Sequence, residues 1–318
     1  MTQPITPEEA VALLNADGTS MYQLFHHANE TRLKHRGNTV NLCGIVNAKS
    51  GMCTEDCKFC AQSAHNDVKN VSCYQLMNAE TIVEKAKVSE QNHAVRFGIV
   101  TSGLAVDTEE EIQSLEKSVS SIQNQLAVKP CASLGNVSRD TLIRLKAAGL
   151  TRYHCNLETA RSYYPESGTT RPWEDAVHTI EAAKSVGLAV CCGGLFGLGE
   201  SVEQRVELLS QIRDLDVDSV PLNFFYPVEG TRVNIDTPLS ALECLKIVAV
   251  ARLMLPTKEI RVCGGREFNL GDLQSWTLIC GADGLMVGGY LTTRGRAVEN
   301  DLKMISDAGF DVQWHHGD

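Results

Sequence analysis

No stretch of this 318-residue chain approaches 18 uninterrupted apolar residues, so no membrane-spanning helix is expected. Positive charge is scarce as well. The 29 lysines and arginines are outnumbered by 39 aspartates and glutamates, giving a formal net charge of −10 with no basic stripe. That balance argues against a nucleic-acid partner, because a phosphate backbone rewards clustered cations. Residues 1–15 lack the basic-then-apolar layout of a secretion signal, and a cytoplasmic chain is expected. Neither a Pro/Ser/Gly-rich linker, a block of like charge nor a low-complexity segment divides the sequence. Hydrophobic content of 43% is ample for a core, and the length suits one α/β barrel as well as two smaller domains.

Cysteine, by contrast, is abundant. Twelve cysteines without a secretion signal point to metal or redox chemistry rather than to a disulfide framework, although some will be small buried side chains. Cys53, Cys57 and Cys60 stand at C-x3-C-x2-C spacing on one short stretch. Thiolates are the usual ligands of iron–sulfur cubes, and three of them leave the fourth iron open to a small molecule. A tetrahedral zinc site is the other reading, completed irregularly by His65 or Cys73.

Residues 7–36 read as two helices, opened by Thr6 with Glu8 and Glu9. A strand-then-helix rhythm follows. Strands are expected at 39–46, 95–101, 127–133, 151–157, 188–195, 218–225, 259–263 and 284–288. Helices are expected at 79–90, 108–126, 139–148, 173–186, 202–214, 239–254, 270–280 and 297–308. The fold class is therefore α/β, a (β/α)8 barrel of TIM type over 37–318 preceded by a helical extension over 1–36. A doubly wound open sheet is the alternative. The cysteine stretch follows the first strand, at the barrel end that carries active sites. Gly193 to Glu200 is glycine-rich but fits no G-x-G-x-x-G register, so a dinucleotide site is a weak reading. Close approach of a ligand to the glycine backbone is expected there, with a tight turn as the bland alternative.

The triad with Phe59 resembles the signature of the radical S-adenosylmethionine superfamily. Asn47–Gly51, Ala61–Ser63, Asn156–Thr159, Cys191–Glu200, Ser219–Asn223, Arg261–Glu267 and Leu291–Arg296 resemble, in order over residues 20–310, the biotin synthase family. That resemblance implies insertion of sulfur into dethiobiotin, with a [4Fe–4S] cluster cleaving S-adenosylmethionine and an auxiliary iron–sulfur cluster donating sulfur. It implies that Phe59 and Leu195 lie at the adenine, and that Asn156 and Glu158 hold the ribose or methionine part. Asn156, Asn223, Thr292 and Thr293 would bind dethiobiotin, although Asn223 and the threonines also suit plain strand-end hydrogen bonding. A flavodoxin or ferredoxin as electron donor and a homodimer are implied by the family alone.

The chain departs from that pattern. The usual auxiliary [2Fe–2S] ligands are three cysteines and an arginine. Cys131, Cys191 and Arg261 match, but Gly98 replaces the remaining cysteine. Strand period places Cys43 and Cys263 on inward faces and turns Cys155 and Cys192 outward. Cys43, Cys131, Cys191 and Cys263 would then form one interior layer from alternate strands, a cage suited to a four-iron auxiliary cluster with Arg261 nearby. The alternative is that Cys43 and Cys263 are buried small hydrophobes. Cys73, Cys244 and Cys280 read as structural. His154 stands where the family has an asparagine that touches substrate, and Ala176 where it has an arginine near the cosubstrate, for which Arg171, close in sequence, would substitute. Two other functional readings remain: a related radical enzyme such as a hydrogenase maturase, and a non-catalytic iron–sulfur carrier or scaffold.

Overall fold

The computed structural model describes residues 4–235 and 237–313; the chain ends included in the two expected domains lie outside the described residues. Thr6 caps the first helix, α1 (Pro7–Leu14), accepting from Glu9 N while the Glu9 side chain returns the bond to Thr6 N. The second, α2 (Gly18–Arg36), packs against the helix Ala241–Met254. From α2, Arg32 donates to the carbonyls of Gly37, Thr39 and Ala282, which ties the extension to the start of the barrel.

Among the described residues ten strands follow: β1 (Thr39–Lys49), β2 (Arg96–Thr101), β3 (Lys129–Ser133), β4 (Arg152–His154), β5 (Ala189–Cys191), β6 (Gly194–Phe196), β7 (Ser219–Phe224), β8 (Glu259–Val262), β9 (Gly284–Met286) and β10 (Asp311–Val312). All pair in parallel, and β9 pairs back onto β1, so the sheet closes into a barrel of eight staves, with β5 and β6 together forming the fifth. The short β10 pairs with the start of β1 outside the closed ring. This is the expected (β/α)8 architecture, and closure excludes the open sheet. Burial alternates strictly along β1: residues 40, 42, 44, 46 and 48 are buried, while the residues between them are partly open. Of these, Cys43 and Ile45 line a cavity inside the barrel.

Three expected elements are shorter or broken. The fifth stave is interrupted at Cys192 and Gly193, opposite Pro221, which has no N–H to give the ladder. The fourth ends at His154, though Cys155 N and Leu157 N still bond to Cys191 O and Gly193 O. The expected helix 270–280 is split into Arg266–Leu270, a 3-10 turn Gly271–Leu273 and Trp276–Ile279, with Gly271 at φ +48° breaking the run.

Gly193 and Gly194 of the fifth stave are absent from the cavity wall and have no room for a side chain. A Cβ on Gly193 would lie 1.9 Å from Pro221 O, and one on Gly194 would lie 2.6 Å from Glu158 O. Both are small because neighbouring staves press on them. Gly193→Ala is expected to destabilise the fold by about 1–3 kcal/mol through overpacking, seen as a lower calorimetric Tm. An unchanged Tm would contradict that reading.

Candidate active site

β1 delivers the loop that carries Cys53, Cys57 and Cys60, and a set of protein hydrogen bonds holds its path. Gln62 Oε1 accepts from Ser50 Oγ at 3.0 Å, Gly51 N at 3.1 Å and Asn47 Nδ2 at 3.3 Å. Asn66 Nδ2 donates to Cys60 O at 2.8 Å, Cys57 O at 3.1 Å and Lys58 O at 3.3 Å. The Asp56 carboxylate accepts from Thr169 N and Oγ1 at 2.7 Å each, and from Thr170 N and Oγ1 at 3.0 Å. Arg232 bridges Asp56 O and Asn66 Oδ1. Burial, then Glu158 and Cys60, pushes the Cys57 thiol up to about 12, and burial pushes Cys60 to about 11. A bound cationic centre would reverse this by favouring thiolate.

The zinc reading is not assembled. His65 Nε2 lies 3.0 Å from Thr54 O, and Cys73 is exposed with its sulfur turned toward Val71 O. Among the described residues, no three cysteines bring their sulfurs within 4.8 Å of one another, as one ion would require. A multi-iron group presents separate metal corners and accommodates wider spacing.

Deeper in the barrel lies a cavity of about 400 Å³, within the usual range for small-molecule sites. Cys43, Cys131, Cys191 and Cys263 all line it, from alternate staves. Their charges reach one another: Cys191 and Cys43 both raise Cys131, and Cys43 and Cys191 both raise Cys263. Burial is the largest influence, lifting Cys131 to about 12 and raising Cys43 and Cys263. Cys191 behaves differently. Burial lifts its thiol, but His154 beside it, with Arg152 and Arg261, draws it down to about 6.

Gly98 also lines the cavity and offers no ligand atom; Ile45 Cγ2 would sit 3.1 Å from a Cβ placed there. Cys155 and Cys192 are buried and absent from the cavity wall, as are Cys244 and Cys280.

Arg96, Arg152 and Arg261 form a cationic side of the cavity. Glu259 joins two of them, one oxygen taken by Arg261 and the other by Arg152 at 3.2 Å. Arg261 also donates to Asn41 O at 3.1 Å and Leu285 O at 3.2 Å. Arg152 Nε and Ser219 Oγ are buried with no partner. Orphaned donors beside thiols, under a cationic wall, fit an anionic group rich in acceptors.

Phe59, Asn156, Glu158, Leu195, Asn223, Thr292 and Thr293 line the same cavity. Glu158 holds a left-handed backbone at φ +64°, uncommon for a residue with a side chain, and Leu195 N donates to its carbonyl at 2.6 Å. Burial pushes its carboxyl up, only partly offset by Arg171 and His154. Asn156 Oδ1 accepts from Gly193 N at 3.1 Å, while Nδ2 points to Glu158 at 3.5 Å. Asn223 donates to Gly194 O at 3.2 Å and accepts from Gly264 N at 2.9 Å. These are the strand-end bonds of the bland reading, but an amide retains a second N–H and lone pair. Ala176 is buried, whereas Arg171 lies near Glu158 and Cys57, with Nε 3.4 Å from Tyr164 Oη.

Sequence reasoning missed the Asn66, Gln62 and Asp56 bonds, which depend on chain segments meeting in space. It also missed Arg96 and Arg152. Strand period could have found them, since each stands two residues before an inward position, Gly98 and His154 respectively.

A family model for the radical SAM superfamily matches residues 49–212, and one for the biotin and thiamin synthesis associated domain matches residues 221–311. The chain is 48% identical over 305 residues to a biotin synthase from Citrifermentans bemidjiense, covering 96% of this chain and 92% of that protein. It is 47% identical over 310 residues to one from Geobacter sulfurreducens, covering 98% and 94%. Among solved structures, methylornithine synthase superposes with TM-score 0.85 at 22% identity, covering 98% of this chain and 95% of that one. The FeFe-hydrogenase maturase HydG from Carboxydothermus hydrogenoformans superposes with TM-score 0.83 at 20% identity, covering 98% and 76%. Likeness at such identity speaks to the fold alone.

Proposed function

The chain belongs to the biotin synthase family of radical S-adenosylmethionine enzymes, and from that membership we infer that it inserts sulfur into dethiobiotin to close the thiophane ring of biotin. The observation that carries the reading is one cavity shared by a wall of thiols and the polar side chains suited to a cosubstrate and a substrate.

Cys53, Cys57 and Cys60 hold the [4Fe–4S] cluster, on a loop whose shape Gln62, Asn66 and Asp56 set. When bound, that cluster supplies the electron that cleaves S-adenosylmethionine, and the auxiliary cluster supplies the sulfur. Phe59 and Leu195 flank the adenine. Asn156, fixed by Gly193 N, and Glu158, fixed by its left-handed backbone, orient the ribose and methionine parts. Asn223 offers its remaining amide valences to the ureido ring, and Thr292 and Thr293 receive the carboxylate arm. The barrel walls limit water around the reacting carbon and hold it against the cosubstrate, where correct placement shortens the search for reactive geometry. An electron donor of flavodoxin or ferredoxin type and a homodimeric assembly complete this reading.

Cys43, Cys131, Cys191 and Cys263 hold the auxiliary cluster, for which we propose a four-iron type; four thiolates also ligate [2Fe–2S] clusters, so the iron count decides between them. The bonds of Arg261 support the four-thiol set. Moving it to iron would strip partners from Glu259, Asn41 O and Leu285 O in a buried setting, a costly exchange. It serves better as a fixed cation beside the cluster.

Anaerobically reconstituted protein, given reductant, S-adenosylmethionine and dethiobiotin, should yield both 5′-deoxyadenosine and biotin. 5′-Deoxyadenosine without biotin would indicate another radical reaction on this barrel, and neither product from intact clusters would indicate a carrier. Iron analysis should approach about eight per chain, and about six would overturn the four-iron type.

A further inference from the structure

We propose that His154 is a positioning residue of the auxiliary site, donating a hydrogen bond to the sulfur of Cys191. This rests on the reading of the four interior thiols as cluster ligands. His154 ends β4 and stands in register directly opposite Cys191 on β5, and both side chains line the cavity. Neighbouring side chains on one face of parallel strands are within reach of each other. Among the described residues, no oxygen takes the ring nitrogens of His154, and the Cys191 thiol, opposite it in register, is the strongest charge acting on the ring.

The surroundings give that contact a purpose. Arg152 lies two residues earlier on the same face of β4, with its Nε buried and unpaired, and Ser219 stands in register with Cys191 from the other flank, its hydroxyl also unpaired. Cys191 therefore has, besides His154, two neighbours in register or on the same face whose donors are unused, Arg152 and Ser219. Glu158 lies further up the same cavity wall, so His154 stands between the thiol layer and the polar groups of the cosubstrate end. A sulfur ligand that accepts several hydrogen bonds is held in orientation and carries less of the cluster's negative charge, which makes reduction easier. The departures at Cys43, Gly98, His154 and Cys263 thereby converge on one set of ligands and one donor to them.

The test compares holoenzyme carrying His154→Leu, which has no donor, with His154→Gln, which keeps an N–H. Three quantities are read: iron and sulfide per chain, the midpoint potential of the auxiliary cluster, and pulsed-EPR coupling to nitrogen in protein labelled with 15N-histidine. The expected result is wild-type iron and sulfide in both variants. The potential should be lower in His154→Leu and closer to wild type in His154→Gln, and a histidine nitrogen coupling should be present in wild type and absent in His154→Leu. An unmoved potential in His154→Leu, or no histidine coupling in fully loaded wild type, overturns the role of His154 while leaving the four-thiol reading intact. A wild-type iron count of about four per chain overturns both together, because no auxiliary cluster is then present.

Discussion

Cys57→Ala protein, reconstituted anaerobically, is expected to lose 5′-deoxyadenosine formation to background, a fall of at least about three orders of magnitude. Its iron should drop only by about half, from about eight to about four per chain. The two outcomes belong together. Cys57 stands on the loop after β1, whereas the four interior thiols come from other positions on the barrel wall, so losing one thiol set leaves the other intact. The fold should survive as well. Asn66, Gln62 and Asp56 hold the loop through bonds that a Cys57 substitution leaves in place, so the circular dichroism spectrum and Tm should stay near wild type. Loss of all iron from Cys57→Ala, or retention of cosubstrate cleavage, would show that the two thiol sets do not act separately.

Cys263→Ser and Cys43→Ser should give the complementary result. Serine keeps the size of the side chain but replaces a soft thiolate by a hydroxyl that binds iron poorly. 5′-Deoxyadenosine formation in the presence of dethiobiotin should persist within a few-fold, while biotin formation should fall by at least about a hundredfold, roughly 2.7 kcal/mol. Auxiliary iron should be depleted. Cys155→Ser is the comparison, because that sulfur is buried outside the cavity, 3.9 Å from Ala176 O. It should keep both products and cost at most about 1–3 kcal/mol of stability for a buried hydroxyl. Full biotin formation by Cys43→Ser and Cys263→Ser would make those residues packing hydrophobes and return the auxiliary site to Cys131, Cys191 and Arg261.

The barrel was legible because short apolar runs alternate with amphipathic segments opened by helix caps such as Ser138 and Ser201. The period of two also sorted the cysteines correctly by face, separating Cys191 from Cys192 and Cys155 from Asn156. The broken fifth stave was not legible. It depends on Pro221, twenty-eight residues beyond Gly193, whose carbonyl leaves Gly193 no room for a side chain. The Asp56 clamp was hidden for the same reason, since Thr169 and Thr170 lie 113 and 114 residues away in sequence. The ion bridge through Glu259 needed β4 and β8 to meet across the barrel interior, which sequence period alone does not specify.

The amide of Asn66 addresses Cys57, Lys58 and Cys60 through their carbonyls and leaves the sulfurs free. In many small metalloproteins the chain orders only as the metal arrives, so the gain from coordination is spent on folding. Here Gln62, Asn66 and Asp56 tie the loop to the barrel through bonds that use no cysteine sulfur. Removing the metal, by chelation or by oxygen, should then leave a mould that can be refilled without unfolding. Damage and repair at this centre become a matter of inorganic exchange on a standing scaffold, repeatable through the lifetime of one polypeptide.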